Sequence, residues 1–257
     1  MRVLFIADIV GADAIDWLAG RLPELRSSTN ADVIIANAEN SAQTAPHPYI
    51  GFGMVEEGAR KLFAAGVDVV TSGNHAWDTP VTSAALSLDR VIRPHNVGAD
   101  KPGIGYLTID VDGEPLTVLS MADTVAIPGV EHPHTAFNNL DLPGTVVVDF
   151  HSGDVMQILG FGYANQGKVA AVFGTHTHEP TELLHLTDEG TAIVVDVGMT
   201  GPSGGWQGID PKILTATYLG KDTSQFEPFQ LAIGPMILGA VLVEIQNGKT
   251  THIERVR

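Results

Sequence analysis

Apolar runs alternate with mixed polar and apolar stretches along the first third of the chain. The runs Val3–Ala7, Val33–Ala36 and Val67–Thr71 have the length and composition of buried β-strands. The stretches around Ala14–Arg26 and over Val55–Ala65 are predicted as helices, the second closed by a glycine C-cap at position 66. This alternation predicts βαβ units with parallel pairing.

The rest of the chain has a different pattern. Within Thr108–Met121, Asp112-Gly113 separates two alternating runs, which is the strongest short signal of a β-hairpin. Further strands are predicted at Thr145–Phe150, Val169–Phe173, Ala192–Val197 and Ala240–Ile245. Because there is no internal repeat and no low-complexity linker, we predict one α/β domain over residues 1–257. Its mixed sheet is expected to form a sandwich of two sheets flanked by helices.

Four segments are predicted as loops, and loops of this length are often functional. They are Gln43–Ile50, Ala126–Pro143, Gly198–Gly208 and Lys221–Pro235. Trp206, in the third loop, either lines a pocket or belongs to the core.

The composition is that of a globular protein that can bury a sizeable core, with 257 residues, 44% hydrophobic and 17% charged. The absence of cysteine excludes disulfides and thiolate metal sites and fits a reducing compartment. The N-terminal run is too short for a signal peptide, and no stretch approaches the ~20 apolar residues of a membrane span. We therefore expect a cytoplasmic protein with no membrane partner.

The net charge of −16 arises from 30 acidic and 14 basic residues. Without a basic stripe, long nucleic acids are not expected as partners. A small phosphate ester held through metal remains compatible with this charge.

Polar residues recur where the apolar strands stop. In open α/β sheets, ligands bind beyond the carboxyl ends of the strands. Taken singly, Asp8 could cap a helix, Asn40 could form a turn and His151 could be a core histidine. Donors on five strand ends that share one edge instead predict a common site. The donors are Asp8, Glu39, Asn40, Asn74, His75, His151, His176 and His178.

The chemistry of these donors indicates metal. An extended backbone through Gly174–His178 would place His176 and His178 on one face at a strand end. Carboxylate, amide and imidazole ligands without thiolate suit Mn, Fe, Zn or Co. Seven of these eight donors, a number too large for one tetrahedral ion, suit two, and a carboxylate such as Glu39 can bridge ions ~3.5–4 Å apart. Only two of the ligands are anionic, so the loaded site would favour a phosphate anion.

The order of these residues resembles that of the calcineurin-like binuclear metallophosphoesterases, and several strings are similar to the YmdB-type bacterial phosphodiesterase branch. The strings are Asp8-Ile9-Val10-Gly11, Ala38-Glu39-Asn40-Ser41-Ala42, Gly73-Asn74-His75-Ala76-Trp77-Asp78, Gly174–His178 and Asp196-Val197-Gly198-Met199-Thr200-Gly201-Pro202. The likeness runs essentially along the whole chain and implies a metallophosphoesterase-like sandwich.

The resemblance also implies a ligand set for two divalent or mixed-valence ions. Iron or manganese is expected first, with zinc, cobalt or magnesium as alternatives. The superfamily has a histidine where this chain has Val10, and Asn40 is expected to replace that donor. One ion would be held by Asp8, Glu39, Asn40 and His178, and the other by Glu39, Asn74, His151 and His176.

By the same resemblance, a metal-bridging hydroxide would attack a small phosphodiester, such as a 2′,3′-cyclic nucleotide, with His75 as general acid. His75 could instead orient a metal ligand. The alternative functions are a phosphomonoesterase acting on nucleotides or sugar phosphates and a nucleotide-binding regulator with little turnover.

Two segments differ in sequence from the YmdB-type branch. These differences affect the substrate that the resemblance implies more than the metal ligands that it implies. They are an extra stretch at Gln43–Tyr49 and Ser152-Gly153-Asp154-Val155 after His151. His132 and His134 are expected on a loop surface. The apolar run Leu231–Leu242 fits either core or interface, which leaves a homo-oligomer open.

Overall fold

Two β-sheets and the helices outside them make up the fold. The computed structural model describes residues 1–42, 52–224 and 230–257. The strands are β1 (Arg2–Ile6), β2 (Val33–Asn37), β3 (Val69–Thr71), β4 (Tyr106–Val111), β5 (Glu114–Ala122), β6 (Thr145–His151), β7 (Ala171–Thr175), β8 (Leu184–Leu186), β9 (Ala192–Val194), β10 (Gly201–Pro202), β11 (Met236–Ile237), β12 (Ala240–Gln246) and β13 (Lys249–Val256). The α-helices are α1 (Ala12–Ala19), α2 (Leu22–Thr29), α3 (Glu56–Ala65), α4 (Pro80–Ala85), α5 (Pro133–Asn138), α6 (Val155–Ala164) and α7 (Pro211–Tyr218), with 3₁₀ helices at Asn74–Trp77 and His95–Val97.

Both sheets are mixed, as predicted. The first has the order β13-β12-β1-β2-β3, in which β1, β2 and β3 are parallel and β12 and β13 are antiparallel to their neighbours. The second has the order β4-β5-β6-β7-β9-β8, in which β5, β6, β7 and β9 are parallel. The predicted hairpin joins β4 to β5, with positive φ at both Asp112 and Gly113.

The two sheets pack face to face, because alternate residues of each strand point to a shared core. Phe5 of β1 stacks on Phe173 of β7, with ring centroids 4.5 Å apart and the planes at 13°. The other residues of each strand face the helices outside the sheets. Leu4 of β1 packs with Leu18 of α1, and the ring centroid of Phe150 of β6 lies 4.8 Å from that of Phe161 of α6. The predicted α/β sandwich flanked by helices is confirmed, while the single domain over residues 1–257 stays a prediction.

The local differences from the sequence prediction have physical causes. The predicted helical stretch Ala14–Arg26 is not continuous and contains most of α1 and most of α2. The break falls at Gly20-Arg21, and Pro23 lies in the first turn of α2, because proline is tolerated there and not in a helix interior. Gly66 caps α3 with φ +110°, as predicted.

The predicted loops have mixed outcomes. Ala126–Pro143 includes α5, and His134 lies in this helix with Nε2 2.9 Å from Asn138 Nδ2. Gln43–Ile50, the insertion at Gln43–Tyr49 and part of Lys221–Pro235 lie outside the described residues. In the described ranges, no helix is both long and apolar enough to cross a bilayer.

Candidate metal centre

The carboxyl ends of both sheets bring the predicted donors together. Asp8 follows β1, and Glu39 and Asn40 follow β2. Asn74 and His75 begin the 3₁₀ helix after β3, His151 ends β6, and His176 and His178 follow β7. The donors therefore come from two sheets that face each other.

The first of two compact groups contains Asp8, Glu39 and His178, whose ligand atoms lie within 4.8 Å of one another. His178 Nε2 lies 3.2 Å from Asp8 Oδ2 and 3.1 Å from Asn40 Nδ2. All four side chains are buried. This is a set of oxygen and nitrogen donors that could hold a metal ion.

The second group contains Glu39, His151 and His176, again within 4.8 Å. His151 Nε2 lies 3.1 Å from Glu39 Oε1 and 2.8 Å from Asn74 Oδ1. The His151 and His176 rings meet at 4.6 Å between centroids. Glu39 belongs to both groups, and the two histidines of Gly174–His178 fall in different groups.

Three observations show that these residues fit divalent ions. Asp8 Oδ1 is buried and has no hydrogen-bond partner among the described residues, which is costly for a carboxylate oxygen without a cation. A Cβ at Gly73 would collide with Glu39 Oε2 and the His151 ring, so only glycine allows this close approach. The donors are carboxylates, amides and imidazoles, as divalent transition metals require.

Burial and the closeness of two carboxylates shift the pKa values of the cluster in opposite directions. Burial, and then the charge of Glu39, raises the pKa of Asp8 well above its usual value. Burial opposes ionisation of Glu39, but the charge and hydrogen bond of His151 hold the pKa of Glu39 far below its usual range. Burial lowers the pKa of His151, but Glu39 outweighs it and raises that pKa to about 9. Burial lowers the pKa values of His176 and His178 to about 4, which keeps both imidazoles neutral.

A buried relay orients His151. Its Nδ1 lies 2.9 Å from Thr175 Oγ1, which donates to Asp149 Oδ1 at 2.7 Å. Asp149 also accepts hydrogen bonds from Asn37 Nδ2 and Thr71 Oγ1 through Oδ2. Because the single Thr175 proton goes to Asp149, Nδ1–H of His151 must donate to Thr175. Nε2 is the ring nitrogen that faces Glu39 and Asn74.

Sequence reasoning missed Asp149 because it lies inside an apolar strand and not at the strand end. The signal was available, since a carboxylate within Val146–Phe150 cannot be buried without partners.

The backbone around His176 and His178 differs from the prediction of an extended strand end. β7 stops at Thr175, and the two histidines have left-handed φ values of 105° and 65°, which cost about 1–3 kcal/mol each.

Three side chains hold this conformation. Asp8 accepts from His176 N at 2.8 Å, and Asp196 accepts from N and Oγ1 of Thr177 at 3.1 and 2.6 Å. Gln207 Nε2 donates to Thr177 O at 3.0 Å, and Gln207 O lies 3.2 Å from His178 Nδ1. The last contact leaves His178 Nε2 facing the cluster.

His75 lies at the edge of the cluster and is partly exposed. Its Nδ1 is 2.8 Å from Asp78 Oδ2, and its ring lies 4.7 Å from the Phe52 ring. Burial alone would lower the pKa of His75, but the hydrogen bond to Asp78 and the charge of Glu39 raise it above the usual value. This is the environment of a histidine that carries a proton.

A cavity of about 330 Å³ lies beside the cluster. Its polar side is formed by Glu39, Asn40, His75, His176 and His178. Trp206 also lines this cavity, which decides between the two alternatives for this residue.

The departure after His151 contributes no further donor to these groups. Ser152 Oγ donates to Asp123 Oδ2 at 2.5 Å, and Asp154 caps α6 by accepting from Met156 N at 2.8 Å. These side chains organise the start of α6 beside His176. His132 and His134 likewise belong to no metal-capable group in the described part of the chain.

Comparisons with known proteins agree with this architecture. A Bacillus subtilis (strain 168) protein named 2′,3′-cyclic-nucleotide 2′-phosphodiesterase is 30% identical over 264 residues, which cover 100% of this chain and 96% of the relative. The crystal structure of a hypothetical protein from Thermus thermophilus has a TM-score of 0.87 at 30% identity, over 98% of this chain and 97% of that one. The structure of a novel phosphatase from Mycoplasma pneumoniae has a TM-score of 0.86 at 25% identity, over 100% of this chain and 92% of that one.

The family model described as YmdB-like protein matches residues 4–256. This span includes both sheets and every donor of the cluster. The resemblance inferred from the motifs is thereby confirmed, and the chain belongs to the YmdB-like protein family.

Proposed function

We propose that this protein is a metal-dependent phosphodiesterase that hydrolyses small cyclic phosphodiesters, with 2′,3′-cyclic nucleotides as substrates. The observation that carries the proposal is a pair of metal-capable groups sharing Glu39 beside a cavity of mononucleotide size. The name and full-length similarity of the B. subtilis relative support the same substrate class.

In this proposal each group would hold one ion, and Glu39, which belongs to both groups, would serve both. Asp8, Asn40 and His178 complete the first ligand set, while Asn74, His151 and His176 complete the second. Asn40 now turns Nδ2 toward Glu39 Oε1 and His178 Nε2, and it would present its amide oxygen to the ion after a half-turn of the amide group. The bound ions, with iron or manganese favoured, would polarise the ester and lower the pKa of a water molecule.

His75 acts as the general acid. It lines the cavity near Glu39, and Asp78 accepts the hydrogen of Nδ1 and so fixes the ring. Nε2–H is then the proton available to the departing ribose oxygen, a role typical of histidine. The alternative, in which His75 orients a metal ligand, is weaker because the side chain of His75 contacts Asp78 and Phe52, and neither is a proposed ligand.

The cavity favours a singly charged diester over a doubly charged monoester. None of the described residues lining it is lysine or arginine. Arg93 donates instead to backbone carbonyls, including those of Pro94 and Lys101. We further propose that the substrates are small, because a net charge of −16 repels long polyanions. We also propose that the protein is cytoplasmic.

A substrate panel tests the function. The protein loaded with Mn²⁺ or Fe²⁺ is assayed on 2′,3′-cyclic AMP, a linear diester and 3′-AMP. We expect the highest kcat/KM for the cyclic diester. Preference for 3′-AMP would instead identify a phosphomonoesterase, and saturable binding without turnover of any ester would identify a regulator.

A further inference from the structure

The cavity beside the metal centre has a second side that the hydrolysis itself does not use. This apolar wall consists of Val10, Phe52, Trp206, Ile209, Ile213 and Leu214. It carries no charge and lines the same cavity as the donors that would hold the phosphate. A ligand that fills the cavity must therefore combine an anionic end with an apolar or aromatic end.

The polar side chains next to the wall are already engaged. Gln207 Nε2 donates to Thr177 O at 3.0 Å. Thr217 Oγ1 donates to Ile213 O, also at 3.0 Å. The donor groups of these two side chains are therefore turned to backbone carbonyls and away from a ligand, while the six apolar side chains of the wall offer a surface for stacking.

Trp206 is held at a fixed position relative to the metal centre. It begins a two-residue turn in which Trp206 N donates to Ile209 O at 3.0 Å and Ile209 N donates to Trp206 O at 2.8 Å. The central residues Gln207 and Gly208 have φ values of 51° and 79°, as this tight turn requires. The same turn holds His178 Nδ1 through Gln207 O, so the tryptophan and the histidine share one rigid support.

Trp206 also keeps a large open surface. Its side chain is 43% exposed although it borders the buried site. An aromatic face with this exposure, at the mouth of a pocket that takes a phosphate ester, is suited to stack a nucleobase.

Resting on the proposed function, we infer that Trp206 is a stacking platform for the nucleobase and that the enzyme accepts 2′,3′-cyclic mononucleotides of all four bases. Every base has a face to stack, whereas selection among bases requires hydrogen bonds to their edges. A cavity of about 330 Å³ has room for a single nucleotide.

The test compares Trp206→Ala and Trp206→Phe with the wild-type holoenzyme on 2′,3′-cyclic AMP and on glycerol 1,2-cyclic phosphate, which has no base. The wild-type holoenzyme is also assayed on the 2′,3′-cyclic phosphates of guanosine, cytidine and uridine. Loss of one stacked base should raise KM for the nucleotide by about 5- to 150-fold with little change in kcat. The loss in kcat/KM should be at least about fivefold greater for the nucleotide than for the base-free ester. Trp206→Phe, which keeps a flat aromatic face, should recover most of the affinity.

Tyr218→Ala is the matched control. Tyr218 is an aromatic residue of α7 that is 92% exposed and does not line the cavity. Its replacement should leave KM for both esters at the wild-type value.

Three results would overturn the inference. They are equal losses on the two esters, no loss on the nucleotide, and a preference of more than about 150-fold for one base, which exceeds the whole contribution of one stacked base. If the wild-type holoenzyme hydrolyses no ester, the proposed function fails separately. The platform is then tested by equilibrium dialysis with 2′,3′-cyclic AMP, in which Trp206→Ala must still weaken binding and Tyr218→Ala must not.

Discussion

Replacing Asp149 by asparagine should weaken one metal position through a change of histidine tautomer. The amide introduced by Asp149→Asn must place its nitrogen where one carboxylate oxygen now accepts. Asp149 Oδ2 accepts from two donors, Asn37 and Thr71, whereas Oδ1 accepts only from Thr175. The amide nitrogen therefore takes the Oδ1 position. There it opposes one donor, Thr175 Oγ1, whereas at the Oδ2 position it would oppose both Asn37 Nδ2 and Thr71 Oγ1.

Thr175 then receives a hydrogen bond from the introduced amide and must turn its own proton toward His151 Nδ1. His151 becomes an acceptor at Nδ1 and carries its proton at Nε2, the atom that faces Glu39 and Asn74. A protonated Nε2 cannot ligate metal. Loss of such an outer partner typically costs 10- to 100-fold in metal affinity or activity, which corresponds to about 1.4–2.7 kcal/mol.

The assay is a calorimetric titration with Mn²⁺ that resolves two classes of site. In Asp149→Asn only one class should weaken, because Asp8 and His178 of the other group do not contact the relay. Asp154→Asn is the control, since Asp154 caps α6 and lies outside the cluster. Thr175→Val should reproduce the effect, and the double variant should be no worse than either single one because both break the same relay.

Two results would refute this reasoning. Equal weakening of both classes would mean that Asp149 supports the whole site and not one imidazole. Additive losses in the double variant would mean that Asp149 and Thr175 do not act in series.

Three further predictions address the ligands, the acid and the ions. Glu39→Gln should lower metal content at both positions in elemental analysis, whereas Glu24→Gln on the exposed side of α2 should not; two fully occupied positions in Glu39→Gln would contradict the bridge. His75→Ala should keep its metal content and lose about 10²- to 10⁴-fold in kcat, with a smaller loss for a p-nitrophenolate leaving group; equal losses across leaving groups would exclude the general acid. Raising free Mn²⁺ to 100 times its dissociation constant should stabilise the fold against unfolding by about 2.7 kcal/mol for each ion bound, or about 5.4 kcal/mol for two independent sites, relative to chelated protein. The measurement is a denaturant titration, and an unchanged midpoint would contradict metal binding at the cluster.

The strand ends were the predictable part of the site. An apolar run followed by Asp8, Glu39 or His151 is visible in the sequence, and parallel pairing brings the ends of such runs to one edge. The support of the site was not predictable in the same way. Asp149 and Asn37 are 112 positions apart, and Gln207 reaches Thr177 across 30 positions, so neither partnership leaves a local pattern.

The conformation of His176 and His178 illustrates the same limit. Their spacing predicts an extended strand end, because alternation is the default after an apolar run. The left-handed backbone depends on Asp196 and on the Gln207 turn, which only the folded chain brings alongside. The helix break before Pro23 was different, since proline was visible in the sequence and its effect on the helix could have been included.

The stacked pair Phe5 and Phe173 sets the distance between the two sheets, and this distance in turn sets how far apart the donors that follow β1 and β7 lie. Asp8 lies three residues beyond Phe5 of β1, and His176 lies three residues beyond Phe173 of β7. The 2.8 Å contact between Asp8 Oδ2 and His176 N therefore joins two sheets whose separation is set a few residues earlier by two aromatic rings. The interior acts as a spacer, and a side chain too large or too small at either ring would shift carboxylate against imidazole without altering any ligand.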